Sequence, residues 1–185
     1  MENQETNTPL WQHALKFGII YAAAIIIFDL VFFISGINRG EHPIIDSVLL
    51  LASSVTTLFF GMKIRRDEQP NGYSKYLEVL KTGLFIGVMA SVMLAAWKFL
   101  FYKFINPEEL INEMETAKKA ILEMDYFDED KKMEIINAMK DKNTAESKIS
   151  GQLFGVNVYA LIISLIIAAF VKRNNPDDTY KSLDM

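Results

Sequence analysis

Residues 149–171, ISGQLFGVNVYALIISLIIAAFV, form a run of 23 residues without a single charged side chain. A helix needs about 20 mostly apolar residues to cross the roughly 30 Å hydrocarbon core of a bilayer. The run has that length, and it lacks the charged face that a surface helix of a soluble domain presents to water. The sequence therefore predicts a membrane-spanning helix in this segment.

Three further apolar stretches precede this run. Asp29 is the only charge in the first stretch, Asp46 is the only charge in the second, and the third is uncharged up to Lys98. The chain is therefore predicted to be an all-α polytopic membrane protein with four transmembrane helices. The predicted spans are about 17–38, 44–62, 82–104 and 149–171.

The bulk composition hides this segregation. With 51% hydrophobic residues, 23% charged residues and a net charge of −4, the average resembles a soluble domain. The whole negative excess lies between Lys103 and Lys148, where 12 acidic residues stand against 8 basic ones. No basic patch for nucleic acid is present. Without cysteine, and with only two histidines, we expect no disulfide, thiol chemistry, metal site or cofactor.

Lysine and arginine in short loops predict the orientation, because they are enriched on the cytoplasmic side of a membrane. The connection 63–81 holds five of them, whereas the loop after the first span holds only Arg39. We therefore expect a cytoplasmic N-terminal segment (1–16), a membrane domain (17–171) and a cytoplasmic tail (172–185). Because the leading segment has no basic region of the signal-peptide kind, the first span is expected to be retained.

The acidic segment 105–148, between the third and fourth spans, is predicted to be an extramembrane helical hairpin. The sequence Asn-Pro-Glu-Glu at 106–109 is typical of a helix start. Apolar residues follow at three- and four-residue spacing, and Asp128 is a candidate N-cap for a second, shorter helix. The two arms either pack on each other or on the rim of the membrane domain, or they form a surface for a membrane partner or a second copy.

Small residues recur at four-residue spacing in two of the spans. Close backbone approach and van der Waals packing hold helices together in lipid, so such stripes indicate helix contacts. These stripes favour contacts between helices of one chain, and the alternative is an interface between two copies of the chain. The predicted packing residues are Gly83, Gly87, Ser91, Gly151 and Gly155.

Polar residues within the spans are the most specific candidates for function, because an unpaired charge there costs several kcal/mol. At 1.5 Å per residue, four of them lie roughly 18 to 24 Å from the cytoplasmic ends of their helices: Asp29, Asp46, Lys98 and Asn157. They are predicted to share one polar layer in the outer half of the bilayer. The layer is either a structural ion pair of Asp29 with Lys98, or a small chamber for a proton, an ion or a solute.

No HExxH, GxSxG, P-loop or GxGxxG motif occurs, so we do not expect an enzyme. The first hypothesis is a structural or partner-binding membrane protein, surrounded by the lipid bilayer and without nucleic acid. The alternative is a small transport or proton-relay protein that uses the polar layer.

One region carries a resemblance to a known family. A glycine turn, an aromatic-x-acid helix start and a Lys-x-Gly motif lead into the third span, which ends in aromatic residues and Asn-Pro. The residues are Gly72, Tyr76, Glu78, Lys81, Gly83 and the segment 102–107, YKFINP. Over about residues 12–173 the chain resembles an uncharacterised family of bacterial four-helix integral membrane proteins, known only as a domain of unknown function. The resemblance implies a bacterial inner (plasma) membrane protein and implies no activity.

Overall fold

The computed structural model describes residues 8–37, 43–69 and 72–175. It contains six α-helices, and a single turn of π-helix, Phe101–Ile105, extends the third of them. Apart from one isolated bridge between Ser74 and Arg173, the described residues form no β-structure. The helices are α1 (Leu10–Ser35), α2 (Pro43–Asp67), α3 (Tyr76–Leu100), α4 (Glu108–Leu122), α5 (Glu129–Asp141) and α6 (Ala145–Val171).

Four of these helices, α1, α2, α3 and α6, are long and apolar enough to cross a membrane. Their outward faces carry large apolar side chains, such as Ile34 and Phe170, which are 80% and 81% exposed. Such faces suit a lipid solvent and not water. The predicted all-α architecture with four apolar spans is therefore confirmed.

The bundle is built around α3, which packs along both α1 and α6, while α2 contacts the other three helices. Leu58, Ile86 and Ala160 belong to the larger buried cluster, and Tyr21, Ala90 and Leu94 belong to a second cluster further along the bundle. In lipid, close packing and not the hydrophobic effect must hold such helices together. The central position of α3 explains why its residues recur in the contacts described below.

The observed helices extend beyond the predicted spans. α1 begins at Leu10 and not at residue 17, and α3 begins at Tyr76 and not at 82. A helix ends where its backbone is capped, and this point need not coincide with the edge of the hydrocarbon. α1 ends at Ser35 because Gly36 adopts a left-handed conformation (φ 65°), with its amide bonded to the carbonyl of Phe33. Residue 38, predicted as the end of the first span, lies outside the described residues.

The start of α1, the ends of α2 and α6 and the start of α3 meet at one end of the bundle, here called the basic end. The backbones of Ser74 and Arg173 exchange two hydrogen bonds of 2.8 and 3.0 Å. Arg66 donates to the carbonyl of Val171 at 2.9 Å. The buried ring of His13 bonds the carbonyl of Gly61 through Nε2 at 2.8 Å. These bonds fasten all four long helices together.

α4 and α5 form the predicted hairpin at the opposite end, here called the hairpin end. Asp128 caps α5 by accepting a 2.7 Å hydrogen bond from the amide of Lys131. Lys132, which is buried, donates to the carbonyl of Leu122 at 3.1 Å and so satisfies the last turn of α4. The start of α4 differs from the prediction, because Asn106 is not its N-cap: its side-chain amide donates to Glu109 instead.

Candidate functional site

The most buried ionic contact in the bundle joins α1 to α3. Asp29 is 1% exposed, and its Oδ2 lies 3.0 Å from the ammonium nitrogen of Lys98. The indole nitrogen of Trp97 donates to the same carboxylate oxygen at 2.7 Å. Asp29 faces α3 because it follows Ala22 and Ile25 on the buried side of α1, at helical spacing.

The aromatic rings beside this pair complete its surroundings. The ammonium of Lys98 lies 5.9 Å from the ring centre of Phe101 and 5.7 Å from that of Tyr102, within the range of a cation–π contact. A carboxylate and an ammonium with these partners are neutralised together, which lowers the cost of burying them in an apolar bundle. The arrangement cross-links α1 and α3 near the hairpin end.

A cleft of about 230 Å³ reaches Asp29 from the hairpin end. Its polar lining comes from the end of α3 and the first turns of α4: Asn106, Glu108, Glu109 and Asn112. The charge of Asp29 is balanced by Lys98, so the two carboxylates of Glu108 and Glu109 make the cleft attractive to positive charge. Among the described residues, however, no three His, Asp or Glu side chains are placed to hold a metal ion.

The predicted polar layer is only partly present. Asn157 on α6 donates to the hydroxyl of Ser91 at 2.9 Å and to the carbonyl of Leu153 at 2.7 Å. Ser91 precedes Lys98 by seven residues, which is about 10 Å along α3. Asn157 therefore belongs to a separate level of the bundle, and the single layer with Asp29 and Lys98 is wrong in this respect. Asp46 lies on α2, but its side chain is outside the described part of the chain.

A further polar contact links α1 to α2. The hydroxyl of Tyr21 lies 2.6 Å from that of Ser54, and Ser54 donates to the carbonyl of Leu50 at 2.6 Å. Sequence reasoning missed this contact, and it missed Trp97 as the partner of Asp29. No local pattern indicates either residue, because tyrosine, serine and tryptophan are all common in membrane helices.

Two of the predicted packing glycines lie where α3 and α6 meet. A Cβ atom at Gly87 would stand 2.5 Å from the Cβ of Ala160, and one at Gly83 would stand 2.8 Å from the Cβ of Ser164. Ser164 is fully buried there, and its hydroxyl has no hydrogen-bond partner among the described residues. Only glycine permits so close an approach of the two backbones.

Gly151 and Gly155 do not lie at a helix contact within the chain. A Cβ atom at either would meet no atom within 4 Å, and both residues are exposed. The interpretation as an intrachain contact is wrong for these two, because their four-residue spacing does not determine which way the shared face points. Two glycines that do mediate contacts were missed, Gly18 against Met89 and Gly61 against Ile86.

The hairpin carries a larger cavity, here called the hairpin groove, of about 550 Å³ between α4, α5 and the start of α6. Five of its lining residues are apolar and six are charged or polar. The apolar members are Met114, Ala117, Ile135, Ala138 and Met139; the charged members are Glu113, Glu134, Lys142 and Lys148. Glu134 is paired with Lys131 at 2.7 Å, and the hydrogen bond and the negative charge raise the pKa of Lys131.

Specific bonds fix the hairpin groove to the membrane bundle. The carboxylate of Glu113 accepts a 2.6 Å hydrogen bond from the hydroxyl of Tyr102 and a second one from the ammonium of Lys148. Asn143 donates to the carbonyl of Leu110 at 2.7 Å. The groove therefore has a defined position above the apolar spans.

The chain matches the family described as "Protein of unknown function (DUF4199)" over residues 16–173. This match contains most or all of each of the four long helices, and the whole hairpin. Searches of the curated proteins and of the solved structures found no match. The resemblance inferred from residues 72–107 is thus confirmed as to family: the chain belongs to the DUF4199 family, whose function is unknown.

Proposed function

We propose that this integral membrane protein binds a partner protein through the hairpin groove. One observation carries the proposal, an apolar groove of about 550 Å³ that is held at one end of the bundle by Tyr102, Glu113 and Lys148. Its volume lies in the usual range of a binding pocket. Two of its apolar lining residues, Met114 and Met139, have side chains flexible enough to fit an incoming apolar group.

The occupant is a helical segment of the partner, with an apolar row facing the groove and basic residues beside it. Charge complementarity supports this choice, because residues 103–148 hold the whole net charge of −4. The tip of the hairpin, residues 123–130, comprises the loop and the start of α5 and has five acidic residues and no lysine or arginine. A basic segment is therefore attracted to the hairpin before its apolar residues enter the groove.

The orientation that fits this role places the basic end in the cytoplasm. Lys63, Arg65, Arg66, Lys172 and Arg173 all lie there, as the positive-inside rule requires. Both termini then lie in the cytoplasm of a bacterium, the four helices cross its inner membrane, and the hairpin groove lies outside. In this role the protein is not an enzyme, and its partner meets it at the outer membrane surface.

Proton transfer at Asp29 and Lys98 is the second candidate function. The cleft that reaches Asp29 favours it, since a proton needs a path to the carboxylate. A relay across the bilayer also needs polar groups that follow one another, and Asn157 with Ser91 lies about 10 Å further along the bundle. The groove therefore has the stronger support.

Photo-crosslinking in the source cells tests the proposed function. A photoreactive amino acid replaces Met139, which lines the groove, or Met133 on the same helix, which does not and is 48% exposed. We expect position 139 to give one adduct of defined size that contains a basic peptide, and position 133 to give none of that size. Equal adducts at both positions, or adducts with lipid alone, would contradict the proposal.

A further inference from the structure

The buried pair of Asp29 and Lys98 and the hairpin groove both contact one side chain, that of Tyr102. Tyr102 is 6% exposed and follows Lys98 by four residues, which is one turn further along the same helix, in its π-helical extension. Its ring centre lies 5.7 Å from the ammonium of Lys98, and its hydroxyl donates to Glu113 at 2.6 Å. Glu113 lines the groove. Tyr102 therefore connects the inside of the membrane bundle to the wall of the groove.

A second ammonium group lies beside the same ring. The ammonium of Lys148 is 5.5 Å from the ring centre of Tyr102, and its counter-ion is Glu113. The ring is therefore close to two ammonium groups, and each of them is paired with a carboxylate. Because the two ion pairs meet at one ring, a movement of the ring at one pair changes its contact with the other.

The backbone at Tyr102 forms the one π-helical turn in the described part of the chain. The amide of Asn106 donates to the carbonyl of Phe101, five residues earlier, at 2.8 Å. Single π-helical turns next to α-helices are rare, and they are frequent at functional sites. This turn buries the side chains of both Phe101 and Tyr102, whereas the next residue, Lys103, is exposed. The end of α3 thus directs two consecutive aromatic rings inward, and one of them reaches the groove.

We infer that Tyr102 couples the hairpin groove to the Asp29–Lys98 pair, so that a partner in the groove stabilises the contact between α1 and α3. This inference rests on the proposed partner binding. A partner packed between α4, α5 and the start of α6 restricts Glu113 and Lys148, which line the groove, and so keeps the ring of Tyr102 in place. Lys98 then keeps its position beside Asp29. Because such coupling is reciprocal, an intact pair also favours binding in the groove.

Hydrogen exchange of the purified protein in detergent tests the coupling without a partner. The double variant Asp29→Leu with Lys98→Met removes the pair and leaves no buried charge, and we expect its α4 amides to exchange about threefold faster. Tyr102→Phe keeps the ring, loses only the hydroxyl, and should have a similar effect. Because these changes act through one contact, the triple variant should exchange no faster than Tyr102→Phe alone.

Lys103→Met is the matched control, since it removes a lysine next to Tyr102 that is paired with the exposed Glu146. It should change the exchange of α4 by less than about 1.5-fold. If the double variant does not fold, Trp97→Phe takes its place, because it removes only the indole bond to Asp29. Its effect on α4 should have the same direction and should disappear when it is combined with Tyr102→Phe.

The yield of the adduct at position 139 in cells measures the same coupling at the groove. We expect the yield per folded protein to fall about threefold in the double variant and in Tyr102→Phe, with no further loss in the triple variant. If the unmodified protein gives no adduct but the exchange effects are non-additive, the coupling stands and the proposed partner binding fails. If adducts form but the double variant leaves α4 exchange unchanged, or the separate effects multiply in the triple variant, the inference is overturned and partner binding stands.

Discussion

The ammonium of Lys98 lies 3.0 Å from a carboxylate oxygen of Asp29, between two helices whose neighbouring residues are almost all apolar. Each of these charges would be costly in lipid if it stood alone. Together, and with the indole of Trp97, they form a neutral cross-link between α1 and α3. The pair therefore fixes the two helices at the end of the bundle that carries the hairpin groove.

Removing one member of this pair should destabilise the bundle. Asp29→Asn or Lys98→Met leaves the other charge buried without its counter-ion, at a cost of about 3–5 kcal/mol. The double variant Asp29→Leu with Lys98→Met should recover most of that loss, because no buried charge is left. Trp97→Phe is the control, since it removes one hydrogen bond to the carboxylate and should cost only about 1.5–3 kcal/mol.

Unfolding in detergent, followed by circular dichroism, measures these differences. If the double variant is as unstable as the two single variants combined, the two side chains do not stabilise each other, and the neutral cross-link is contradicted. If a single variant keeps full stability but alters proton movement across vesicles, the result supports the relay function.

The close approach of α3 and α6 predicts a contrast between two glycines. Gly87→Ala places a Cβ atom 2.5 Å from that of Ala160, so the helices must separate, at a cost of about 1–3 kcal/mol. Gly155→Ala meets open space and should be neutral or stabilise the helix by up to about 1 kcal/mol. We therefore expect a lower melting temperature for Gly87→Ala than for Gly155→Ala in the same detergent. Equal melting temperatures would contradict the tight α3–α6 contact.

The attachment of the hairpin to the bundle depends on Glu113. Glu113→Gln weakens the bonds to Tyr102 and Lys148, and since the site is partly exposed we expect a modest loss of about 1 kcal/mol. Hydrogen exchange of the α4 amides should become faster while α3 is unchanged. Glu115→Gln, an exposed change on the same helix, provides the matched control, and exchange that rises equally in both variants would contradict this role of Glu113.

The orientation can be measured directly because the chain has no cysteine. Ala120→Cys on the hairpin is expected to react with a membrane-impermeant maleimide in intact cells. Lys172→Cys at the basic end should react only after the cells are opened. The reverse pattern would place the hairpin in the cytoplasm and would exclude the outer-surface partner.

The sequence predicts the helices and the Asp29–Lys98 contact for a simple physical reason. Apolar length defines a span, and the depth of a residue follows from its distance along the helix to the end of that span. The predicted depths of Asp29 and Lys98 are counted from residues 17 and 82, but α1 and α3 begin at Leu10 and Tyr76, so both residues lie further from the basic end than predicted and Asn157 bonds Ser91 instead. The spacing of Gly151 and Gly155 does not fix the rotation of α6 about its axis, which explains why it indicates a contact that α6 does not make within the chain.

The hairpin groove could not be predicted from the sequence, for a different physical reason. The apolar stripe of α4 is visible in the sequence, and Asp128 correctly predicts the start of α5. The position of α4 over the bundle depends on how Tyr102 and Lys148 hold Glu113, and these are contacts between distant segments. The volume of the groove follows from that geometry and from no local pattern.

The central claim, that the hairpin groove binds a partner, is tested most directly by filling the groove. Ala117 lines it, whereas Ala120, on the same helix, is exposed and does not. In cells with the photoreactive residue at position 139, the yield of the partner adduct is measured for Ala117→Trp and for Ala120→Trp. We predict at least a tenfold loss for Ala117→Trp, equivalent to about 1.4 kcal/mol, and an unchanged yield for Ala120→Trp. An adduct that survives Ala117→Trp, in a protein that is folded and normally abundant, would contradict the account.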